Sequence, residues 1–119
     1  MDHIALGKKG EDVAANYLTS KGWVVLERNY KWNRGELDLI CSDQSSLKIV
    51  EVKTRNSNYF GEPHMAINRK KQRQIISIAN QYVQQNNLDL EVEFDVISIV
   101  LSQSKMKLEH IENAFYPML

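Results

Sequence analysis

The sequence predicts an α/β domain in which a central mixed β-sheet is flanked by helices. Two segments of helical periodicity alternate with runs that are rich in β-branched and aromatic residues. Three of these runs follow one another across short turns, which favours antiparallel neighbours. The most apolar run comes directly after a long helix, so we expect it to cross back and lie parallel to a neighbouring strand.

The first half of the chain is predicted to contain one helix and three strands. Apolar residues recur every three or four positions over 4–21, and Gly22 ends that helix. The turn residues Asn33 and Gly35 separate the first two strands. The three strands are expected to form an antiparallel meander over residues 23–30, 36–41 and 47–54.

The second half is predicted to contain a loop, a helix and two strands. A polar stretch with glycine and proline indicates a loop over 56–66. Asn68 is a suitable N-cap for a helix that runs to Asn86. The crossover strand is expected at 92–101 and a short edge strand at 107–111.

Composition indicates one ordinary globular domain over residues 1–119. Hydrophobic residues make up 43% of the chain and charged residues 25%. Cys41 is the only cysteine, so an internal disulfide is excluded. The start of the chain lacks the apolar run of a signal peptide, and no stretch is apolar enough to span a membrane. We therefore expect a cytoplasmic protein.

The net charge is zero, but the charges are unevenly distributed. Residues 1–73 contain 13 of the 15 basic residues and 9 of the 15 acidic residues, so the remaining segment is acidic. A neutral total therefore does not exclude a polyanionic partner.

The second and third predicted strands carry the residues of greatest chemical interest. Side chains alternate along a strand, so Leu37 and Leu39 should share one face and the charged residues the other. The charged faces would then present Glu36 and Asp38 on one strand and Glu51, Lys53 and Arg55 on the next. If the strands pair, two carboxylates and a lysine converge, an arrangement that suits a divalent cation and a phosphate.

The alternative is a solvated sheet face with cross-strand ion pairs, the usual fate of alternating charges. Two features favour a site. Asp38 precedes Glu51-x-Lys53 by thirteen residues with a turn between them, and the strands are otherwise apolar.

A basic cluster opens the second helix and comprises Arg69, Lys70, Lys71 and Arg73. Cations at a helix N-terminus oppose the macrodipole, and bound phosphate would relieve that repulsion. The alternative is a solvated basic helix start. Arg28, Arg34 and Arg55 can extend the basic surface. Three aromatic residues in or near turns, Trp32, Tyr59 and Phe60, suit either base stacking or packing.

Several classes of site are disfavoured. His3, His64 and His110 lack paired ligand spacing, which argues against zinc. Cys41 ends a strand and is expected to be a buried small residue. Neither a phosphate-binding glycine motif nor a catalytic triad signature occurs.

These motifs make the chain resemble the PD-(D/E)xK nuclease superfamily, in which an acid on one strand and an ExK pair on the next form a metal site. Within it the chain is similar to the YraN-type family of predicted endonucleases, relatives of archaeal Holliday-junction resolvases. The matching segments are Gly7-x-x-Gly10-Glu11-x-x-Ala14, Gly35–Ile40, Val50–Arg55, Gly61-x-Pro63, Lys71, Phe94-Asp95-Val96 and Asn113-Ala114-Phe115.

The resemblance implies a restriction-endonuclease-like fold and a metal-dependent endonuclease that hydrolyses DNA, including branched or structured DNA. Asp38 and Glu51 would bind Mg²⁺ or Mn²⁺, and Lys53 would be the catalytic lysine. Glu11 matches a further catalytic carboxylate and metal ligand, although from its position on the helix it can equally project into solvent. Glu36 would support Asp38 from the same face.

The resemblance also implies a partner, and the chain departs from the family pattern at two positions. Resolvase relatives act as dimers, which implies a homodimer. Leu37 stands where the superfamily has its proline, and Glu93 stands where the family commonly has arginine. The alternatives to a nuclease are a non-catalytic module that binds nucleic acid or a protein partner, and a structural protein.

Overall fold

The computed structural model describes residues 2–56 and 67–117. Two helices and five strands make up this part of the chain. In order they are α1 (His3–Ser20), β1 (Val24–Trp32), β2 (Gly35–Ser42), β3 (Ser46–Asn56), α2 (Arg69–Gln85), β4 (Glu91–Leu101) and β5 (Met106–Phe115).

The five strands form one mixed sheet in the order β1-β2-β3-β4-β5. β3 and β4 are parallel, and the other neighbouring pairs are antiparallel. This confirms the predicted α/β class, the meander and the parallel crossover strand, and it is compatible with a restriction-endonuclease-like fold. Neither described helix is both long and apolar enough to cross a membrane.

Local signals account for the helix boundaries. The Asn68 side chain accepts a hydrogen bond from the Lys71 N–H at 2.8 Å, which confirms the predicted N-cap of α2. Asp2 caps α1 in the same way through the Ala5 N–H at 2.7 Å. Beyond α1, Gly22 adopts a φ of 89°, a conformation that glycine accepts without strain.

The edge strand β5 is longer than the predicted 107–111. The β4–β5 register shifts between Phe94 and Val96, and Asn113 has a φ of 53°. These features indicate a bulge in β5. The bulge interrupts the alternating pattern, so the strand could not be followed to Phe115 from the sequence.

The sheet separates two core clusters, one against each helix. Leu39 and Val50 pack with the α1 residues Ala14 and Leu18. Leu37 instead packs in the cluster that contains the buried face of α2. The prediction that Leu37 and Leu39 share a face is therefore wrong. The alternation is interrupted between them, at Asp38, where β2 leaves its pairing with β3.

The predicted loop over 56–66, with Tyr59, Phe60 and His64, lies outside the described residues except for Asn56, which ends β3.

Candidate active site

Two carboxylates replace backbone partners at the point where β2 and β3 separate. The β2–β3 ladder ends at Leu39 and Val50. Beyond it, the Asp38 N–H donates to Glu51 Oε2 at 3.2 Å, and the Val52 N–H donates to Asp38 Oδ2 at 2.9 Å. The structure therefore joins these two acids directly.

Both acids line an open cavity of about 580 Å³ between the sheet and the start of α2. Lys53 and Lys71 line the same cavity, with Asn68 beside them. Val50 and Val52 pack on the α1 side instead, as the alternation along β3 predicts. The cavity thus brings together two carboxylates from the sheet, one lysine from β3 and one lysine from α2.

Burial gives the carboxylate pair unusual proton affinity. Glu51 is only 5% exposed. Burial, followed by the charge of Asp38, raises the pKa of Glu51 to about 8. Burial raises the pKa of Asp38 to about 6, against the opposing effect of the Val52 hydrogen bond. Near neutral pH the pair therefore favours a proton or a cation that compensates its charge.

Lys53 is affected in the opposite sense. Burial, followed by the positive charge of Arg55, lowers the pKa of Lys53. Arg55 lies two residues further along the same strand and is half-buried.

Glu11 and Glu36 act on the pair through their charges. The charge of Glu11 raises the pKa of Asp38, and the charge of Glu36 raises the pKa values of both Asp38 and Glu51. Glu11 itself lines a different cavity, with one oxygen 4.0 Å from Arg28 Nη2. Its role as a metal ligand, like the supporting role of Glu36, stays a prediction.

The predicted basic cluster is divided between two cavities. Lys71 faces the carboxylate pair, whereas Arg69 and Arg73 line a neighbouring cavity of about 280 Å³ on α2, and Lys70 is exposed. Arg28, which was expected to extend the basic surface, forms an ion pair with Asp12 at 2.7 Å. Arg28 is thereby directed toward α1.

A second polar cluster, which the sequence did not predict, lies on the α1 side of the sheet. Asp95 is fully buried, and one of its oxygens lies 2.8 Å from His110 Nε2. The other accepts the Asn113 N–H at 3.0 Å. The Tyr17 hydroxyl lies 3.1 Å from His110 Nδ1, so both ring nitrogens have partners.

This cluster also contains a group of three residues able to hold a metal ion. Ligand atoms of Asp95, His110 and Glu112 lie within 4.8 Å of one another. The spacing of the histidines in the sequence could not indicate this group, because it does not reveal contacts between paired strands. A metal here would have to displace the hydrogen bond that now joins His110 to Asp95, and the donor set does not identify the metal.

Glu93, the departure from the family pattern, has an internal partner. Lys48 Nζ lies 3.0 Å from Glu93 Oε2 and 5.2 Å from the centre of the Trp23 ring. The Lys48 side chain is only 5% exposed. Burial lowers its pKa, but Glu93 and the neighbouring acids outweigh that effect and raise it overall. The positive charge at this point in the fold therefore comes from Lys48 on β3, and the residue on β4 is an acid.

Lys48→Met is expected to destabilise the protein by about 3 kcal/mol, because it leaves Glu93 without its cation in a partly buried position. Urea denaturation measures the change in free energy of unfolding. The control is Lys107→Met, which removes an exposed ion pair with Glu109 and should cost less than about 1 kcal/mol. Equal losses from the two variants would contradict the structural importance of the Lys48 pair.

The chain is an α/β protein whose fold is compatible with a restriction-endonuclease-like architecture, and its carboxylate pair lies in a cavity where the pairing of β2 with β3 ends. The chain belongs to the uncharacterised protein family UPF0102, whose family model matches residues 10–99. This is the YraN-type family that the motifs indicated.

Similar proteins match nearly the whole chain. UPF0102 proteins of Christiangramia forsetii and Flavobacterium psychrophilum are 40% and 41% identical to it over 115 residues, which covers 97% of each chain. One from Thermodesulfovibrio yellowstonii is 41% identical over 116 residues, 98% of this chain and 100% of its own.

Proposed function

We propose that this protein is a metal-dependent endonuclease of the PD-(D/E)xK type that hydrolyses phosphodiester bonds in DNA, including branched or structured DNA. The observation that carries the proposal is the pairing of Asp38 with Glu51 inside a cavity that also contains Lys53 and Lys71. A buried and a half-buried carboxylate beside two cations suit a divalent metal that must in turn hold a phosphate.

The donor set fits Mg²⁺ or Mn²⁺. Carboxylate oxygens are the ligands that these ions prefer, and burial makes an uncompensated pair of negative charges costly. A bound divalent ion would polarise the scissile phosphate and lower the pKa of an attacking water. Asp38 and Glu51 are the residues that would hold it, with Glu11 as a further candidate.

Lys53 is the candidate for positioning the water or stabilising charge on the phosphate. It lies two residues after Glu51, on the same side of β3. Lys71 enters the cavity from the first turn of α2, where backbone N–H groups and the macrodipole also favour an anion. These groups allow the phosphate to be held from both the sheet and the helix.

A second candidate is a binding module without turnover. The raised pKa of Glu51 favours it, because a proton shared near neutral pH can relieve the carboxylate pair without any metal. In that case the basic residues of α2 would bind nucleic acid while the acids have a structural role.

Cleavage of labelled branched, single-stranded and duplex DNA in Mn²⁺ or Mg²⁺ separates the two candidates. We expect metal-dependent cleavage, and we expect Lys53→Ala to reduce its rate by about 100-fold or more while DNA binding persists. The control is Lys105→Ala, an exposed lysine in the turn between β4 and β5. Binding by the unaltered protein without cleavage in either metal would favour the module. Absence of both binding and cleavage would contradict the nuclease and favour a module that binds a protein partner.

Asp38→Asn adds an independent test. It removes a proposed metal ligand, so cleavage should fail. It also removes negative charge near the expected phosphate position, so metal-free DNA affinity should hold or rise.

Lys71→Glu should weaken binding with and without metal and should reduce its salt dependence.

A further inference from the structure

A groove separates the tip of the β1–β2 hairpin from the exposed side of α2. Its volume is about 420 Å³, and Trp32, Arg34, Gln74 and Ser77 line it. We call these four residues the hairpin groove. Ser77 also lines the cavity of Arg69 and Arg73, so the two cavities adjoin.

Close packing holds the hairpin tip against α2. A Cβ added at Gly35 would lie 2.6 Å from Ile78 Cδ1 and 2.9 Å from Gln74 Nε2. A side chain there would require the ends of the Ile78 and Gln74 side chains to move. Asn33, at the turn, adopts a φ of 56°, which asparagine tolerates better than most residues. The groove is therefore built into the packing of the hairpin on the helix.

The chemistry of the groove suits a nucleotide. Trp32 is half-buried, because it packs against the α2-side core while also lining the groove. Arg34 is exposed beside it, and Gln74 and Ser77 add hydrogen-bonding groups. An aromatic surface next to a guanidinium and an amide is the combination that holds an unpaired base and its phosphate.

The charge of the surroundings favours an anionic ligand. Among the described residues, the groove and its neighbouring cavity are lined by three arginines and by no carboxylate. Lys71 continues this basic surface to the carboxylate pair. From Lys71 to Ser77 the helix rises about 9 Å, a length that corresponds to roughly two or three nucleotides of a strand.

We propose that the hairpin groove binds an unpaired base of a nucleic-acid strand, stacked on Trp32, while Arg34, Arg69 and Arg73 hold the adjacent phosphates. The inference rests on the proposed function for its nucleic-acid ligand and deepens it. The substrate class is then nucleic acid with a single-stranded segment close to the cleavage point, as at a flap, a gap or a junction.

Tryptophan fluorescence tests this directly, since the chain contains only two tryptophans. A short thymidine oligonucleotide is titrated in EDTA, so that no cleavage occurs. We expect quenching in the unaltered protein. Trp23 is 9% exposed and packs on the α1 side, so Trp23→Phe should retain the quenching. Trp32→Phe should abolish it.

Affinities are measured in parallel with a labelled oligonucleotide, and circular dichroism checks that each variant folds. Trp32→Ala should weaken binding by about 5- to 100-fold, the usual effect of losing one stacked base, and Trp32→Phe should restore part of it. Arg34→Ala should weaken binding and lower the salt slope by about one phosphate. The matched control is Lys31→Ala, an exposed cation on β1 outside the groove lining.

The outcomes distinguish this inference from the proposed function. Quenching through Trp32 without cleavage in any metal would support the groove and contradict the nuclease. Metal-dependent cleavage with no quenching, or with unchanged affinity in folded Trp32→Ala, would overturn the groove and leave the nuclease intact.

Discussion

The metal-free protein is expected to lose stability as the pH rises from about 4 to about 8. Burial raises the pKa of Glu51 to about 8 and that of Asp38 to about 6, both above the values of an unfolded chain. Between those limits the folded state binds more protons than the unfolded state, so stability falls as pH increases. Below about pH 4 both states are protonated and this contribution is fully present.

The effect should be large enough to measure by thermal unfolding. Each unit of pKa difference corresponds to about 1.4 kcal/mol, and both pKa values are raised by more than one unit, so a loss of several kcal/mol is expected across the window. Glu51→Gln should flatten the profile and make the protein more stable than the unaltered chain at pH 8. The control is Glu91→Gln, an exposed acid on β4 that should leave the profile unchanged.

Divalent cations should reverse the loss. If Mg²⁺ or Mn²⁺ binds the ionised pair as proposed, the stabilisation should grow with pH and with cation concentration. In Glu51→Gln the increment should be much smaller. A melting temperature that does not respond to pH between 5 and 8, or that rises equally with Mg²⁺ in both proteins, would contradict the proposed metal site.

The sequence predicted most of the fold because its signals are local. Gly22 marks the end of α1 and Asn68 the start of α2, and the short turns require antiparallel neighbours. The same reasoning placed Asp38 beside Glu51, since a hairpin with a fixed turn largely determines which residues meet. These inferences need no knowledge of distant contacts.

The remaining features depend on contacts between distant residues. His110 meets Tyr17 across 93 positions, and the bulge in β5 that brings Asn113 to Asp95 appears only when β4 and β5 pair. The predicted alternation also fails between Leu37 and Leu39. The pairing of β2 with β3 ends at Leu39, and beyond Asp38 the side chain of Leu37 packs on the α2 side of the sheet, whereas Leu39 packs on the α1 side. A period of two cannot reveal where a strand pairing stops.

The same limit applies to Trp32, the residue proposed to stack on a base. The sequence left it between stacking and core packing, and the structure shows that it lines a groove while it packs on the core. The partner that makes this possible is α2, more than forty residues further along the chain. Packing of the hairpin on α2 brings the two together, with Gly35 against Gln74 and Ile78 and the Tyr30 ring against Tyr82.

Gly10→Ala is expected to be strongly destabilising, because α1 approaches β3 at this residue more closely than a side chain permits. An added Cβ would lie 1.8 Å from Thr54 Oγ1 and 2.8 Å from Thr54 Cβ. Rotation of the threonine about χ1 moves Oγ1 but leaves its Cβ in place, so the helix must move. We expect a loss of about 3 kcal/mol, at the upper end of the usual cost of overpacking, measured by urea denaturation.

Gly7→Ala is the matched control, since it lies one turn earlier in α1 and a Cβ there meets nothing within 4 Å. Alanine is the better helix former, so this variant should gain about 0.5–1 kcal/mol. Thr54→Ala combined with Gly10→Ala should recover part of the loss by removing Oγ1 and Cγ2. Glu11 follows Gly10, and its charge raises the pKa of Asp38. Displacement of α1 should therefore also change the pKa of Asp38. Equal stability of Gly10→Ala and Gly7→Ala would show that α1 does not depend on this close approach to β3.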